Sequence, residues 1–133
     1  MNPALAEQLL DFIECSIHCT LFARKLYPPN LFEPRMYQGV ALRQSRHPDI
    51  NTYIRRVLNN TKPLLEQGLV ERVVLAITAP DGSPADHLTI KCTAEGLSLV
   101  AEELRGTVLR ILTLDALLPP LPPDCTWSLL VVT

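Results

Sequence analysis

An α+β fold, with helices packed on one face of a small antiparallel sheet, is what this sequence predicts. Three observations lead there. Proline follows a capping side chain at Asn2-Pro3 and again at His47-Pro48, each time ahead of an apolar pattern of helical period. The stretch "VERVVLAIT" is almost continuously apolar beyond Arg72, and "PDGSP" joins it to a segment in which Leu88, Ile90 and Cys92 alternate with Thr89 and Lys91. Finally, in "CTWSLLVVT", residues 125–133, Trp127, Leu129 and Val131 alternate onto one face of a strand. The order is helix, weak strand, helix, two strands, helix, strand.

The first helix opens at Asn2, with Pro3 where a missing N–H costs nothing. Leu5, Leu9, Phe12, Ile13, Ser16, Ile17, Thr20 and Leu21 recur along its inward face, and Tyr27-Pro28-Pro29-Asn30 stops it near Leu26. Residues 36–42, with Gly39 among them, predict a weak strand or a small edge hairpin. The second helix starts at Pro48, and Asp49 complements the positive end of its dipole. Ile50, Tyr53, Ile54, Val57, Leu58, Thr61, Leu64 and Leu65 form its buried stripe, Arg55, Arg56 and Asn59 its wet face, and Gly68 its stop. Pro63 falls inside this pattern, so a kink is expected there.

The strand beginning near Val70 is the central one, because its apolar run suits burial on both faces. A third helix is expected over 97–112, with Leu97, Val100, Leu104, Val108, Ile111 and Leu112 inward. "LLPPLPP" is stiff and extended and delivers the chain to the last strand.

With 133 residues the chain has room for one domain, residues 1–133. Its composition, 47% hydrophobic and 20% charged, is that of an ordinary globular protein, and no apolar run is long enough to predict a membrane span. The N-terminal stretch has no basic region or small-residue cleavage site, so a reducing compartment is expected. Cys15, Cys19, Cys92 and Cys125 then read as small apolar side chains rather than disulfide partners. A net charge of −2 gives no field for gripping a phosphate backbone, so direct nucleic-acid binding is not expected and the partner is a protein.

Cys15, His18 and Cys19 stand at helical spacing close enough to share a metal or to pair a thiol with a base. No second pair completes a ligand set and no orienting group completes a nucleophile, so they read as packed helix side chains. No glycine-rich loop opens a helix to cradle phosphate. Catalytic residues, metal and cofactor are all expected to be absent, and the chain is not expected to be an enzyme. Residues 118–123 resemble a polyproline ligand, but their position between a helix and a strand makes a stiff connector the simpler reading. Arg43, Arg46, Arg55 and Arg56 form a basic patch, read as a solvated face or a contact to an acidic partner.

The last strand carries the functional expectation. If it pairs on one side only, its other side offers unpaired backbone donors and acceptors beside Trp127 and Leu129, and no charge, proline or bulge blunts it. An extended peptide can add there as a further strand, unless another segment covers it.

"LYPPNLF", "HPDINTYI", "KPLLEQGLVERVVL", "LDAL" and "PPDCTWSLLVVT", in this order along nearly the whole chain, resemble the HORMA-domain accessory subunits of translesion DNA polymerase zeta, relatives of the spindle-checkpoint HORMA protein. The resemblance implies three helices on a three-stranded antiparallel sheet with a small hairpin on the opposite side. It implies a non-catalytic adaptor that captures a short proline-containing peptide as an added strand along residues 125–132, bridging DNA-repair and translesion-synthesis proteins. The implied partner is the polymerase zeta catalytic subunit or an end-protection component, and the implied place is the nucleus, with the cytoplasm second. Tyr53 matches a family tyrosine that touches the peptide, which makes Tyr53, Trp127, Leu129 and Val131 the expected peptide-binding set.

Arg105, Asp115 and Ala116 match a surface through which two HORMA domains pair, and Lys25 stands in that surface where relatives carry an acid. Pro34 replaces a basic residue there, so an altered or absent dimer is expected. The match stops at Thr133, where relatives continue through a C-terminal safety belt, so a core domain without that belt and a capture that is weak or absent are expected. The alternative reading is an assembly subunit that pairs with another HORMA domain through the third helix and captures no peptide.

Overall fold

In the computed structural model, which describes residues 2–37, 39–92, 110 and 118–133, both predicted helix starts are built as the sequence indicates. The Asn2 side chain accepts the Ala4 N–H at 2.8 Å, and helix α1 runs Pro3–Ala23. His47 Nδ1 accepts the Asp49 N–H at 3.1 Å and caps helix α2, Pro48–Glu66. Gly68, at φ +72°, turns the chain out of α2 in the left-handed conformation.

Helix α1 is buried on every side from Cys15 to Leu21, as a helix sandwiched between two layers must be. Its buried hydroxyls are satisfied locally: Ser16 Oγ donates to the Phe12 carbonyl and Thr20 Oγ1 to the Ser16 carbonyl, both at 2.8 Å. Leu5, expected inward, is exposed, and Ala6 takes the buried position in the first turn. On α2, Ile50, Ile54, Leu58, Thr61 and Leu65 are buried, Tyr53, Val57 and Leu64 are half-buried, and Arg55, Arg56 and Asn59 are exposed.

One layer beside α1 is a hairpin. Strand β1, Phe32–Tyr37, pairs antiparallel with β2, Val40–Ser45, from Phe32↔Ser45 to Tyr37↔Val40. It is longer than the segment predicted, because Pro34 breaks the strand pattern of β1, and proline is tolerated there only because β1 is an edge. Phe22 of α1 packs edge-to-face on Phe32 at 5.3 Å.

The other layer is a sheet of order β4-β3-β5, with β3 at Arg72–Thr78, β4 at Pro84–Lys91 and β5 at Thr126–Val132. The apolar strand β3 is central, as predicted. Both neighbours run antiparallel to it, with Leu75 opposite Leu88 on one side and Leu129 on the other. Val73, Leu75 and Ile77 are buried, while Val74, Ala76 and Thr78 on the alternate face are half-buried. Arg24, at the end of α1, ties the helix to the sheet: its Nε lies 3.2 Å from the Asp86 carboxylate of β4, and its Nη2 donates to the Pro119 carbonyl at 3.3 Å. That second bond anchors the proline-rich connector before it enters β5.

Arg110 is helical, in keeping with the third helix. The other residues of the expected third helix, including Arg105, and Asp115 and Ala116 after them lie outside the described residues. No helix among the described residues is long and apolar enough to cross a membrane.

Candidate functional site

In an antiparallel sheet each residue sends both its N–H and its C=O to the same side, and the side alternates along the strand. On β5 the sense of that alternation is fixed by two contacts. The Val132 carbonyl accepts from the Glu71 N–H next to β3. The Leu129 N–H goes instead to the Tyr53 hydroxyl of α2, at 3.1 Å. Thr126, Ser128, Leu130 and Val132 therefore turn their main-chain groups toward β3, and Trp127, Leu129 and Val131 turn theirs to the outer edge. Among the described residues no strand pairs with that edge.

The same residues that face the edge with their backbone cover the inner face of the sheet with their side chains. Leu129 is buried, and Trp127 and Val131 are half-buried beside it, opposite Leu75, Ile77 and Val73 in register. The Trp127 indole is held at both ends: its Nε1–H donates to the Tyr27 hydroxyl at 2.8 Å, and its ring meets that of Tyr53 edge-to-face at 5.4 Å and 72°. The Arg56 guanidinium also lies over the Tyr53 ring, 5.8 Å from its centroid. The four residues expected to bind peptide thus lie together along one strand and the helix beside it.

The edge is not bare, which corrects the sequence expectation. Its middle donor, the Leu129 N–H, is already taken by Tyr53, a contact made possible by tertiary packing of α2 against β5. Tyr27 is the residue that sequence reasoning missed, since it served there only to end a helix. Lys25 adopts φ +58° just past α1, where it is exposed and lines a cavity of about 430 Å³ together with Leu26 and residues 120–125.

Cys15, His18 and Cys19 form no reactive cluster. His18 is 2% exposed, its Nδ1 accepts the Ser45 N–H at 3.1 Å, and its Nε2 lies 3.9 Å from the Glu14 carboxylate. Burial, reinforced by Arg35 and Arg55, pushes its pKa down to about 4, so the ring is neutral and serves to hold the end of the hairpin. Burial raises the Cys15 and Cys19 thiols to about 11, far from the thiolate a nucleophile needs. Among the described residues no group of acidic, histidine and cysteine side chains could hold a metal ion.

No family model matches the chain. Individual relatives do. The human mitotic spindle assembly checkpoint protein MAD2B is 35% identical over 99% of this chain and 67% of its own length. The DNA polymerase zeta processivity subunit of Arabidopsis thaliana is 31% identical over 90% of this chain and 59% of its own length. Among solved structures, a chain of the mitotic checkpoint complex superposes with a TM-score of 0.85 at 22% identity, covering 96% of this chain and 73% of that one. C. elegans HTP-1 bound to a HIM-3 closure motif superposes with a TM-score of 0.80 at 16% identity, covering 98% and 71%. The solved chains share the HORMA fold with this one. On this identity and coverage the chain belongs to the HORMA-domain family that includes MAD2B and the polymerase zeta processivity subunits.

Proposed function

We propose that this chain is an adaptor that captures a short, extended, proline-containing peptide by strand addition along the outer edge of β5. The observation that carries the reading is the orientation of that edge: the main-chain groups of Trp127 and Val131 face outward with no strand on them among the described residues, and Tyr53 and Trp127 stand beside them. Backbone pairing supplies affinity, and the aromatic pair with Leu129 and Val131 supplies selection. A HORMA protein of the same fold has been solved with a closure motif bound, which supports the same use of the fold here. Kinship with polymerase zeta processivity subunits supports a partner in the polymerase zeta complex, and the proposal places the chain in the nucleus, bridging translesion-synthesis proteins. The test is a titration with proline-containing peptides, read by the fluorescence of Trp127, the one tryptophan of the chain. A saturable shift with a fixed stoichiometry is expected; an emission unmoved by every peptide of a diverse proline-containing library counts against the reading.

A further inference from the structure

Resting on the reading of β5 as a peptide rail, we infer that Arg56 selects an acidic side chain of the captured strand: besides its proline, the peptide carries Asp or Glu at a position that faces α2.

Arg56 stands beside the rail with no anion of its own. Its guanidinium lies 5.8 Å from the centroid of the Tyr53 ring, and that ring meets the Trp127 indole of β5. Arg56 is exposed, and no carboxylate of the described residues forms an ion pair with it. Its neighbours one turn away on α2, Thr52, Tyr53, Asn59 and Asn60, are all neutral. The nearest acids along the helix, Asp49 and Glu66, are roughly two and three turns off. Strand β5 itself has no charged side chain. An incoming carboxylate therefore meets a cation there and no competing acid on α2 or β5.

Exposed arginines are ordinarily just hydrated. Arg56 differs because an aromatic face holds it against the rail. A guanidinium placed in this way loses less freedom on pairing and keeps its in-plane N–H groups for a carboxylate. The position of the acid follows from the sheet. The contact of Trp127 with Tyr53 puts α2 on the face that Trp127, Leu129 and Val131 cover with their side chains. Residues opposite one another across a strand pair send their side chains to the same face. Every second residue of an added strand, those level with Trp127, Leu129 and Val131, thus points to α2, and the residues between point away. The acid belongs to the first set. Arg55 supplies the contrast: roughly 100° round the helix, it stands toward His18 of α1, whose proton affinity its charge lowers.

The experiment starts from a binder drawn from a library of short peptides carrying one fixed proline. Each of its other positions is replaced in turn by Glu and by Gln, and binding is read by Trp127 fluorescence at low salt and at about 1 M salt. At one position, and not at those next to it, Glu is expected to bind about fivefold tighter than Gln, with the difference erased by high salt. Arg56→Gln should abolish that ratio, Arg56→Glu should reverse it in favour of Lys at the same position, and Arg55→Gln should leave most of it. Equal binding of Glu and Gln everywhere, a preference that spreads over adjacent positions alike, or one that survives Arg56→Gln overturns the acid site and leaves the rail intact. If no peptide of the library binds, both fall.

Discussion

The Tyr53 hydroxyl accepts the Leu129 N–H across 76 positions of sequence, joining the middle of helix α2 to the middle of strand β5 at 3.1 Å. The consequence is a fixed register between the side chains that would select a peptide and the backbone that would pair with it. The contact also fixes which residues of β5 face β3 and which face outward, and two of the predictions below depend on that assignment.

Proline substitution separates the two sides of β5. Val131 turns its N–H away from β3, so Val131→Pro removes a donor only from the outer edge, where strands tolerate proline. A stability loss of about 1 kcal/mol is expected, with peptide binding reduced at least tenfold. Leu130 sits opposite Val74 and turns its N–H inward, so Leu130→Pro deletes a ladder bond and should cost about 3 kcal/mol or more. Urea denaturation and peptide titration of both variants check this; equal destabilisation by the two would mean that the assignment of inward and outward groups is wrong.

Stability should fall on mild acidification because of His18. The unfolded chain takes up a proton on this ring near its ordinary value of 6.5, while the folded chain holds it neutral down to about 4, chiefly through burial. The contribution is complete above pH 6.5 and is lost as pH drops toward 4, by roughly 3 kcal/mol at the lower end. His18→Gln, whose side-chain carbonyl can accept the Ser45 N–H, should flatten that slope. Denaturant unfolding between pH 4 and 7 for both proteins reads the difference, and an undiminished slope in the variant would assign the acid sensitivity elsewhere.

Thiol labelling at neutral pH should be confined to one cysteine. Cys15, Cys19 and Cys92 are buried and raised to about 11, whereas Cys125 is half-exposed. A small disulfide reagent is expected to modify Cys125 first and the other three only on unfolding, as mass spectrometry of the labelled peptides would report. Rapid modification of Cys15 in the native protein would reopen a chemical role for the first helix.

What the sequence made legible was local or periodic. Proline after Asn2 and His47 marked both helix starts, the apolar run after Arg72 marked the central strand, and the alternation of Trp127, Leu129 and Val131 put those side chains on one face. Pro34 concealed the start of the hairpin, because a proline argues against a strand unless the strand is known to be an edge. The long-range bonds were out of reach: nothing in the pattern around Tyr27 or Tyr53 tells which hydroxyl meets the indole of Trp127 and which the amide of Leu129. His18 was read as a packed helix side chain, as it is, but its specific job was not legible: its acceptor serves the Ser45 N–H on the hairpin, a partner only the fold supplies.

The central claim, a peptide paired along the outer edge of β5, is tested most directly by backbone amide exchange of residues 126–132 with and without a bound proline-containing peptide. The account predicts that protection rises at Trp127 and Val131 on peptide addition while Ser128, Leu130 and Val132, already paired to β3, stay as they were. A peptide that binds and shifts Trp127 fluorescence while leaving the Trp127 and Val131 amides as exchangeable as before would contradict it.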